Sequence, residues 1–154
     1  MAFADLSKLL HDTFGASFQY IVEFTSVDEI ADAKGHYRIR YEEHLPDTWM
    51  GIQRGIYAVV INNRDPVYIG AFTRSVRKRW FNTRERYLYH FKREKIADSL
   101  AKGEKVSLFM LSEQALREQA PANLKEFITV EGIEAALLQR TDAECFVWNK
   151  RGRR

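Results

Sequence analysis

Two short runs of β-branched and aromatic residues, separated by three turn-forming residues, constrain the fold of this chain more than any other feature. Residues 55–62 and 66–72 have the composition of buried strands. The connection between them, Asn-Arg-Asp at 63–65, has turn chemistry and is much too short for a parallel crossover. The two strands are therefore predicted to pair as an antiparallel hairpin within an antiparallel sheet.

The rest of the chain reads as a mixture of helices and strands. Helices are expected at 4–14, 26–34, 74–93, 113–119 and 122–141, and further strands at 17–25, 36–42, 105–111 and 145–148. This mixed order predicts the α+β class, with a small, mostly antiparallel sheet (the hairpin plus a third strand) flanked by helices. Residues 1–53 are expected to form an N-terminal α/β extension packed on a core, and residues 54–154 that core with a basic C-terminal tail.

The composition excludes several classes of protein. The chain has 154 residues, the size of one domain, and is 45% hydrophobic, which rules out a disordered chain. No stretch approaches the roughly 18 apolar residues of a membrane span, and the N-terminus does not resemble a secretory signal. Because Cys145 is the one cysteine, an internal disulfide and a cysteine-based zinc site are excluded. We therefore expect a cytoplasmic protein with no membrane partner.

The charge is distributed unevenly along the chain. The net charge is +3, but residues 74–95 carry nine Lys/Arg and two Glu, and residues 150–154 carry four more positive charges. An acidic body with two basic segments favours a polyanionic partner such as DNA. The alternative is a solvated basic helix followed by a basic tail.

The predicted helix at 74–93 has two distinct faces. Its basic face is formed by Arg79, Arg86, His90 and Arg93. Its apolar face is formed by Val76, Trp80, Tyr87 and Phe91. The aromatic face is expected to pack on the sheet, which would leave the guanidinium groups to bind phosphates in paired hydrogen bonds.

A single carboxylate interrupts the apolar stripe of the predicted helix at 122–141. Glu134 follows Val130 by four residues and precedes Leu137 by three. Carboxylates are rarely buried unless they are paired or bind a metal. Glu134 is therefore either a residue at the edge of the stripe that reaches water or an oxygen ligand for Mg²⁺ at a cleft.

The hairpin carries two tripeptides, Gly55-Ile56-Tyr57 on the first strand and Tyr68-Ile69-Gly70 on the second. Together with the arginine-rich segment and Glu134 downstream, they resemble the GIY-YIG nuclease superfamily over roughly residues 54–150. That family includes homing endonucleases, some restriction enzymes and an excision-repair nuclease. The resemblance implies a three-stranded antiparallel core and a metal-dependent endonuclease that hydrolyses phosphodiester bonds of DNA.

The resemblance also implies roles for particular residues. Tyr57 would position or deprotonate the attacking water, Tyr68 would bond the phosphate or the water network, and Arg79 would neutralise the phosphate. Glu134 would hold one Mg²⁺ or Mn²⁺, and Asn149 would orient the site. The expected contacts with nucleic acid are Arg74, Arg77, Lys78, Arg86, His90, Arg93, Lys150 and Arg151.

Some alternatives stay open at this stage. Arg77 and Lys78 compete with Arg79 for its role. Where some members of the family carry a further general base, this chain has Thr83, so His90 or Tyr87 would have to replace it. The chain could also be a non-catalytic nucleic-acid-binding module on the same scaffold, or a protein-interaction domain with basic surfaces. A palindromic substrate would favour a homodimer with two-fold symmetry.

Overall fold

The computed structural model describes residues 1–30, 37–51, 53–81, 87–88, 90, 92–123, 125, 128–141 and 145–149. The strands are β1 (Gln19–Ile30), β2 (Tyr37–Glu43), β3 (Gly55–Ile61), β4 (Asp65–Phe72), β5 (Tyr87–Leu88) and β6 (Val106–Ser112). The helices are α1 (Phe3–Phe14), α2 (Pro46–Met50), α3 (Val76–Trp80), α4 (Arg93–Ala101), α5 (Glu113–Gln119) and α6 (Val130–Arg140). None of the described helices is long and apolar enough to cross a membrane.

All six strands lie in one antiparallel sheet with the order β4-β3-β6-β1-β2-β5. The α+β class and the antiparallel sheet flanked by helices are therefore confirmed. The sheet is larger than expected, because β1 pairs with β6 and β2 with β1. The first 53 residues thus supply two strands of the sheet itself rather than an extension packed against it.

The predicted hairpin is confirmed, and its turn begins one residue earlier than the sequence suggested. Asn62 and Asn63 have φ angles of +53° and +57°, and the Arg64 amide donates to the Ile61 carbonyl at 3.0 Å. Positive φ at both central positions is the pattern of a type I′ turn, which asparagine tolerates better than most residues. The twist of this turn suits antiparallel strands, and it aligns Tyr57 opposite Gly70.

Two hydrophobic cores lie on the two faces of the sheet. Successive side chains of a strand point to opposite faces, so Tyr57 and Val59 belong to one core and Ile56 and Ala58 to the other. The core that contains Tyr57 is covered by buried residues of α2, α3 and α4, among them Trp80. The other core is covered by α1, α5 and α6. The tyrosines of the hairpin therefore face α2, which precedes the hairpin, and α3 and α4, which follow it.

Several local predictions are confirmed. Helix α1 ends at Gly15, which adopts φ +72°. Strands β2 and β6 lie where the sequence predicted them, and the Ser112 hydroxyl caps α5 by accepting from the Ala115 amide at 3.0 Å. The helix expected at 26–34 is wrong for 26–30, which continue β1 by pairing with β2; residues 31–36 lie outside the described part.

The helices predicted at 74–93 and 122–141 are also wrong in extent. The first is a single short helix, α3, after which Phe81 forms a bridge with Leu88 and β5 pairs with β2. Arg79 lies on α3 and Arg93 begins α4, so they do not share a face of one continuous helix with His90. The second helix begins only at Val130, where the Thr129 hydroxyl accepts from the Gly132 amide at 3.0 Å.

Candidate active site

Tyr57 and Tyr68 lie side by side on the covered face of the hairpin. Their ring centroids are 6.0 Å apart, and their exposed fractions are 0% and 5%. Gly70 lies opposite Tyr57, and a Cβ at that position would overlap the Tyr57 hydroxyl and lie 2.5 Å from its Cζ atom. A Cβ on Gly55 would overlap the Leu111 carbonyl oxygen. Gly70 therefore makes room for the Tyr57 ring, and Gly55 for the close approach of β6.

His90 contacts the Tyr57 hydroxyl. Its Nε2 atom lies 2.9 Å from that oxygen, and its Nδ1 atom accepts a hydrogen bond from the backbone amide of Lys92 at 3.1 Å. The ring is 2% exposed and stacks on Trp80 at 3.8 Å between centroids, with an interplanar angle of 14°. His90 was expected among the exposed phosphate contacts, but the structure places it inside the tyrosine site.

Arg79 reaches the same hydroxyl from the last turn of α3. The Ser75 hydroxyl caps this helix by accepting from the Lys78 amide at 3.0 Å, and the helix ends at the buried Trp80. Arg79 itself is exposed, yet its guanidinium donates a hydrogen bond to Tyr57. It therefore links the buried hydroxyl to the solvent side of the site.

Burial dominates the acid–base behaviour of the two tyrosines. It raises the pKa of Tyr57 well above its usual value, and the nearby Arg79 opposes the shift. Burial raises the pKa of Tyr68 to about 12, and the negative charge of Glu134 adds to the rise. A hydrogen bond joins the two hydroxyls and raises the pKa of Tyr57 while it lowers that of Tyr68.

The charge around His90 keeps its ring neutral. Burial lowers the pKa of His90 to about 3, and the positive charges of Arg79, Lys92 and Arg93 lower it further. His90 is therefore uncharged throughout the neutral pH range.

Glu134 lies on α6, one of the helices that cover the core on the other face of the sheet. Its negative charge nevertheless raises the pKa of Tyr68. The residue is half-buried, flanked by the buried Ile133 and Leu137. It thus lies at the edge of the apolar stripe, and it is a carboxylate whose charge acts on the tyrosine pair.

Asn149 binds the backbone of the strand that carries Tyr68. Its Oδ1 accepts from the Ile69 amide and its Nδ2 donates to the Ile69 carbonyl, each at 2.9 Å. The amides of Phe146 and Trp148 donate to the carbonyls of Pro66 and Val67, each at 2.8 Å. The segment predicted as a final strand is therefore a turn that covers the outer edge of β4.

The basic residues of α3 surround a small cavity next to this site. The cavity has a volume of about 160 Å³ and is lined by Phe72, Thr73, Arg74, Ser75, Lys78 and Arg79. Arg74 and Lys78 are exposed, and Arg77 is half-buried. Arg93 begins α4 and donates to the His90 carbonyl at 3.4 Å. Arg86, Lys150 and Arg151, also expected to bind nucleic acid, lie outside the described residues.

Sequence reasoning missed Lys92. It is only 7% exposed, and its Nζ lies 5.6 Å from the centroid of the Tyr68 ring. Nothing in the sequence separates it from the other cations of the basic segment. On the continuous helix predicted for residues 74–93, Lys92 would have lain on a different face from His90 and Arg93. The wrong helix prediction therefore left Lys92 out of the site.

A second cluster of polar residues lies apart from the tyrosines. The ligand atoms of Glu23, Glu42 and His44 all lie within 4.8 Å of one another, because Glu23 pairs with Glu42 across β1 and β2. Glu23 already accepts a hydrogen bond from Tyr20 at 3.4 Å and lies 3.8 Å from the Lys105 ammonium. This cluster is a solvated group of charges on the sheet surface.

The described site thus gathers side chains from β3, β4, α3, α6 and the segment before α4. Comparison of the chain with protein-family models, with curated proteins and with solved structures gives no match. The chemistry available here is hydrogen-bond donation from phenols, positive charge from Arg79 and Lys92, and one nearby carboxylate, Glu134.

Proposed function

We propose that this protein is a metal-dependent endonuclease of the GIY-YIG type, which hydrolyses phosphodiester bonds of DNA. The observation that carries the proposal is that Tyr57 is hydrogen-bonded to both Tyr68 and Arg79, and that the charge of Glu134 acts on Tyr68, although these residues are up to 77 positions apart in the sequence. Hydrolysis of a phosphodiester needs positive charge on the phosphate, an oriented water and a stabilised leaving oxygen. This group of side chains can supply the first two.

Charge in the site favours an anionic substrate. Arg79, Lys92 and Arg93 are close enough to His90 to lower its pKa, whereas Glu134 is the carboxylate whose charge reaches Tyr68. A phosphate group is the anion that a guanidinium binds in paired hydrogen bonds. The exposed Arg74 and Lys78 extend this positive surface beside the cavity and would contact the adjoining phosphates of DNA.

The two tyrosines take different roles. The Tyr57 hydroxyl already has Arg79, His90 and Tyr68 as hydrogen-bond partners, so it has no capacity left to take a proton from water. Its raised pKa also argues against a phenolate base, so of the two roles that the resemblance implies for Tyr57 we assign it the positioning of the water rather than its deprotonation. Tyr68 would donate its own proton to a phosphate oxygen in the enzyme–DNA complex.

The residues fit a single magnesium or manganese ion. Mg²⁺ is commonly held by one or two carboxylates, with waters and substrate phosphates as its other ligands. Glu134 is a half-buried carboxylate whose charge acts on Tyr68, and it would hold the ion. When bound, the ion supplies Lewis-acid stabilisation of the phosphate charge. The oxygen and the nitrogen of the Asn149 side-chain amide both bond to the backbone of Ile69, so we assign Asn149 the role of holding β4 in place.

The proposal is tested by incubating the protein with supercoiled plasmid, duplex oligonucleotide and single-stranded DNA in Mg²⁺, Mn²⁺ or EDTA. We expect nicking or cutting with a metal and none with EDTA. Glu134→Gln should abolish cleavage and preserve DNA binding in EDTA. Glu131→Gln, three residues earlier on the same helix and exposed, is the matched control and should cut normally.

Two results would contradict the proposal. A wild-type protein that binds DNA but cuts no substrate with either metal would instead be a non-catalytic nucleic-acid-binding module. A folded Glu134→Gln variant that cuts at the wild-type rate would remove Glu134 from the site.

A further inference from the structure

His90 is bonded through both ring nitrogens, and the two partners differ in kind. The partner of Nδ1 is the backbone N–H of Lys92, at 3.1 Å. The partner of Nε2 is the hydroxyl of Tyr57, at 2.9 Å. A backbone N–H can only donate, whereas a hydroxyl can either donate or accept. The protonation of the ring can therefore be worked out from the fixed partner.

Because Lys92 donates to Nδ1, that nitrogen must carry a lone pair. In a neutral imidazole the proton then lies on Nε2, and Nε2–H donates to the Tyr57 oxygen. An imidazolium would set an N–H against the Lys92 N–H and break the bond. The stacking of the ring on Trp80 fixes the plane of the ring, and the two hydrogen bonds fix its orientation within that plane.

The tautomer sets the direction of the hydrogen bonds that follow. With Nε2–H as donor and Arg79 as a second donor, the Tyr57 oxygen accepts twice, and its own proton goes to Tyr68. The Tyr68 proton is then directed to an acceptor other than Tyr57. The other tautomer would draw the Tyr57 proton to His90, and the Tyr68 proton would turn inward to replace it.

We propose that His90 is a positioning residue, a permanently neutral donor whose Nε2–H fixes the Tyr57 hydroxyl as donor to Tyr68 and so presents the Tyr68 proton to the substrate phosphate. The last of these steps rests on the proposed nuclease function, whereas the tautomer itself does not. His90 in this role is neither a general base nor a phosphate contact.

The groups that face His90 agree with this assignment. Arg79 approaches from α3, and Lys92 and Arg93 lie on the segment leading into α4; all three positive charges oppose protonation of the ring. Tyr57 and Tyr68 face it from β3 and β4, with ring centroids 6.0 Å and 5.6 Å away. Burial lowers the pKa of His90 to about 3, so the ring keeps its donor through the neutral range.

The first test reads the tautomer directly, by long-range ¹H–¹⁵N correlation spectra of ¹⁵N-labelled wild-type protein. We expect His90 to show the Nε2–H pattern with no titration from about pH 8 to about pH 5. An Nδ1–H pattern, or protonation of His90 in that range, overturns the proposal. This outcome does not depend on whether the protein cuts DNA.

The second test separates positioning from base catalysis. His90→Phe keeps a stacking ring without nitrogens, and His90→Gln keeps a neutral N–H donor; His11→Gln is the exposed control. For His90→Phe we expect kcat to fall on the order of 10- to 100-fold with unchanged DNA affinity. His90→Gln should regain part of the loss and retain the wild-type pH profile.

Loss of the acidic limb of the pH profile in His90→Gln would identify His90 as a titrating base and overturn the assignment. A His90→Phe variant with wild-type kcat would also overturn it. Circular dichroism and thermal melting establish that each variant is folded. If the tautomer is as proposed and the wild type cuts no DNA, the nuclease function fails and the hydrogen-bond assignment stands.

Discussion

The attachment of Asn149 to β4 gives a prediction that separates a structural from a catalytic role. Its side chain makes two hydrogen bonds to the backbone of Ile69, each 2.9 Å long and spanning 80 residues of sequence. Asn149→Ala removes both. Because Ile69 follows Tyr68 directly, the change also loosens the outer edge of the strand that carries half of the tyrosine pair.

The size of the effect follows from the number of bonds. A hydrogen bond in a folded protein contributes about 0.5–1.5 kcal/mol, so losing two lowers the free energy of unfolding by about 1–3 kcal/mol. In a chain of this size 1 kcal/mol lowers Tm by about 2–4 °C, so we expect a fall of roughly 2–12 °C. Asn123→Ala, at an exposed turn residue, is the control and should stay within about 0.5 kcal/mol of wild type.

Urea unfolding and thermal melting measure the stability, and DNA cleavage well below Tm measures the activity. If Asn149 anchors β4, Asn149→Ala loses stability and keeps kcat within about tenfold of wild type, which is small beside the loss of a group that stabilises the transition state. The anchoring role would be refuted if Asn149→Ala kept the unfolding free energy of wild type while its kcat fell by about 100-fold or more. Asn149 would then be a catalytic residue.

Three further predictions follow from the same site. Gly70→Ala forces the Tyr57 ring to move and should destabilise the fold by about 1–3 kcal/mol in urea unfolding; an unchanged midpoint would refute the close packing. The pKa of His90 is lower in the folded than in the unfolded chain, so the unfolded chain binds the extra proton and the free energy of unfolding falls as pH drops below about 6.5. Between pH 8 and pH 5 His90 should account for a loss of about 2 kcal/mol. This loss should be missing in His90→Gln. Replacing Arg77 and Lys78 by alanine should make the slope of log K against log salt for DNA binding less negative by about 1.8, and an identical slope would mean that neither meets the backbone.

The sequence predicts the parts of this fold that depend on neighbouring residues. The hairpin follows from strand composition and a short connection with turn chemistry, and α5 follows from Ser112 at its N-cap. Tyr57 and Tyr68 were assigned to the site because their two tripeptides resemble those of the GIY-YIG family. That they share a face agrees with the fixed alternation of side chains along a strand.

The errors come from contacts between distant residues. Residues 74–93 have a helical spacing of cations and aromatics, but the pairing of Phe81 with Leu88 and of β5 with β2 overrides it. The end of β1 has the polarity of a helix start, and its partners in β2 make it a strand instead. Local patterns carry no information about such partners. The same holds for the contact of His90 with Tyr57, which only the folded chain reveals.

The most direct test of the central claim is the single-turnover rate of DNA cleavage by Arg79→Ala at saturating protein. Arg79 joins the buried Tyr57 to the exposed side of the site, so it should stabilise the charge of the transition state. We predict a rate about 100- to 1,000-fold below wild type in Mg²⁺, with Lys102→Ala, at an exposed cation outside the site, cutting normally. A folded Arg79→Ala variant that cuts as fast as wild type would contradict the assignment of this tyrosine–arginine cluster as a nuclease active site.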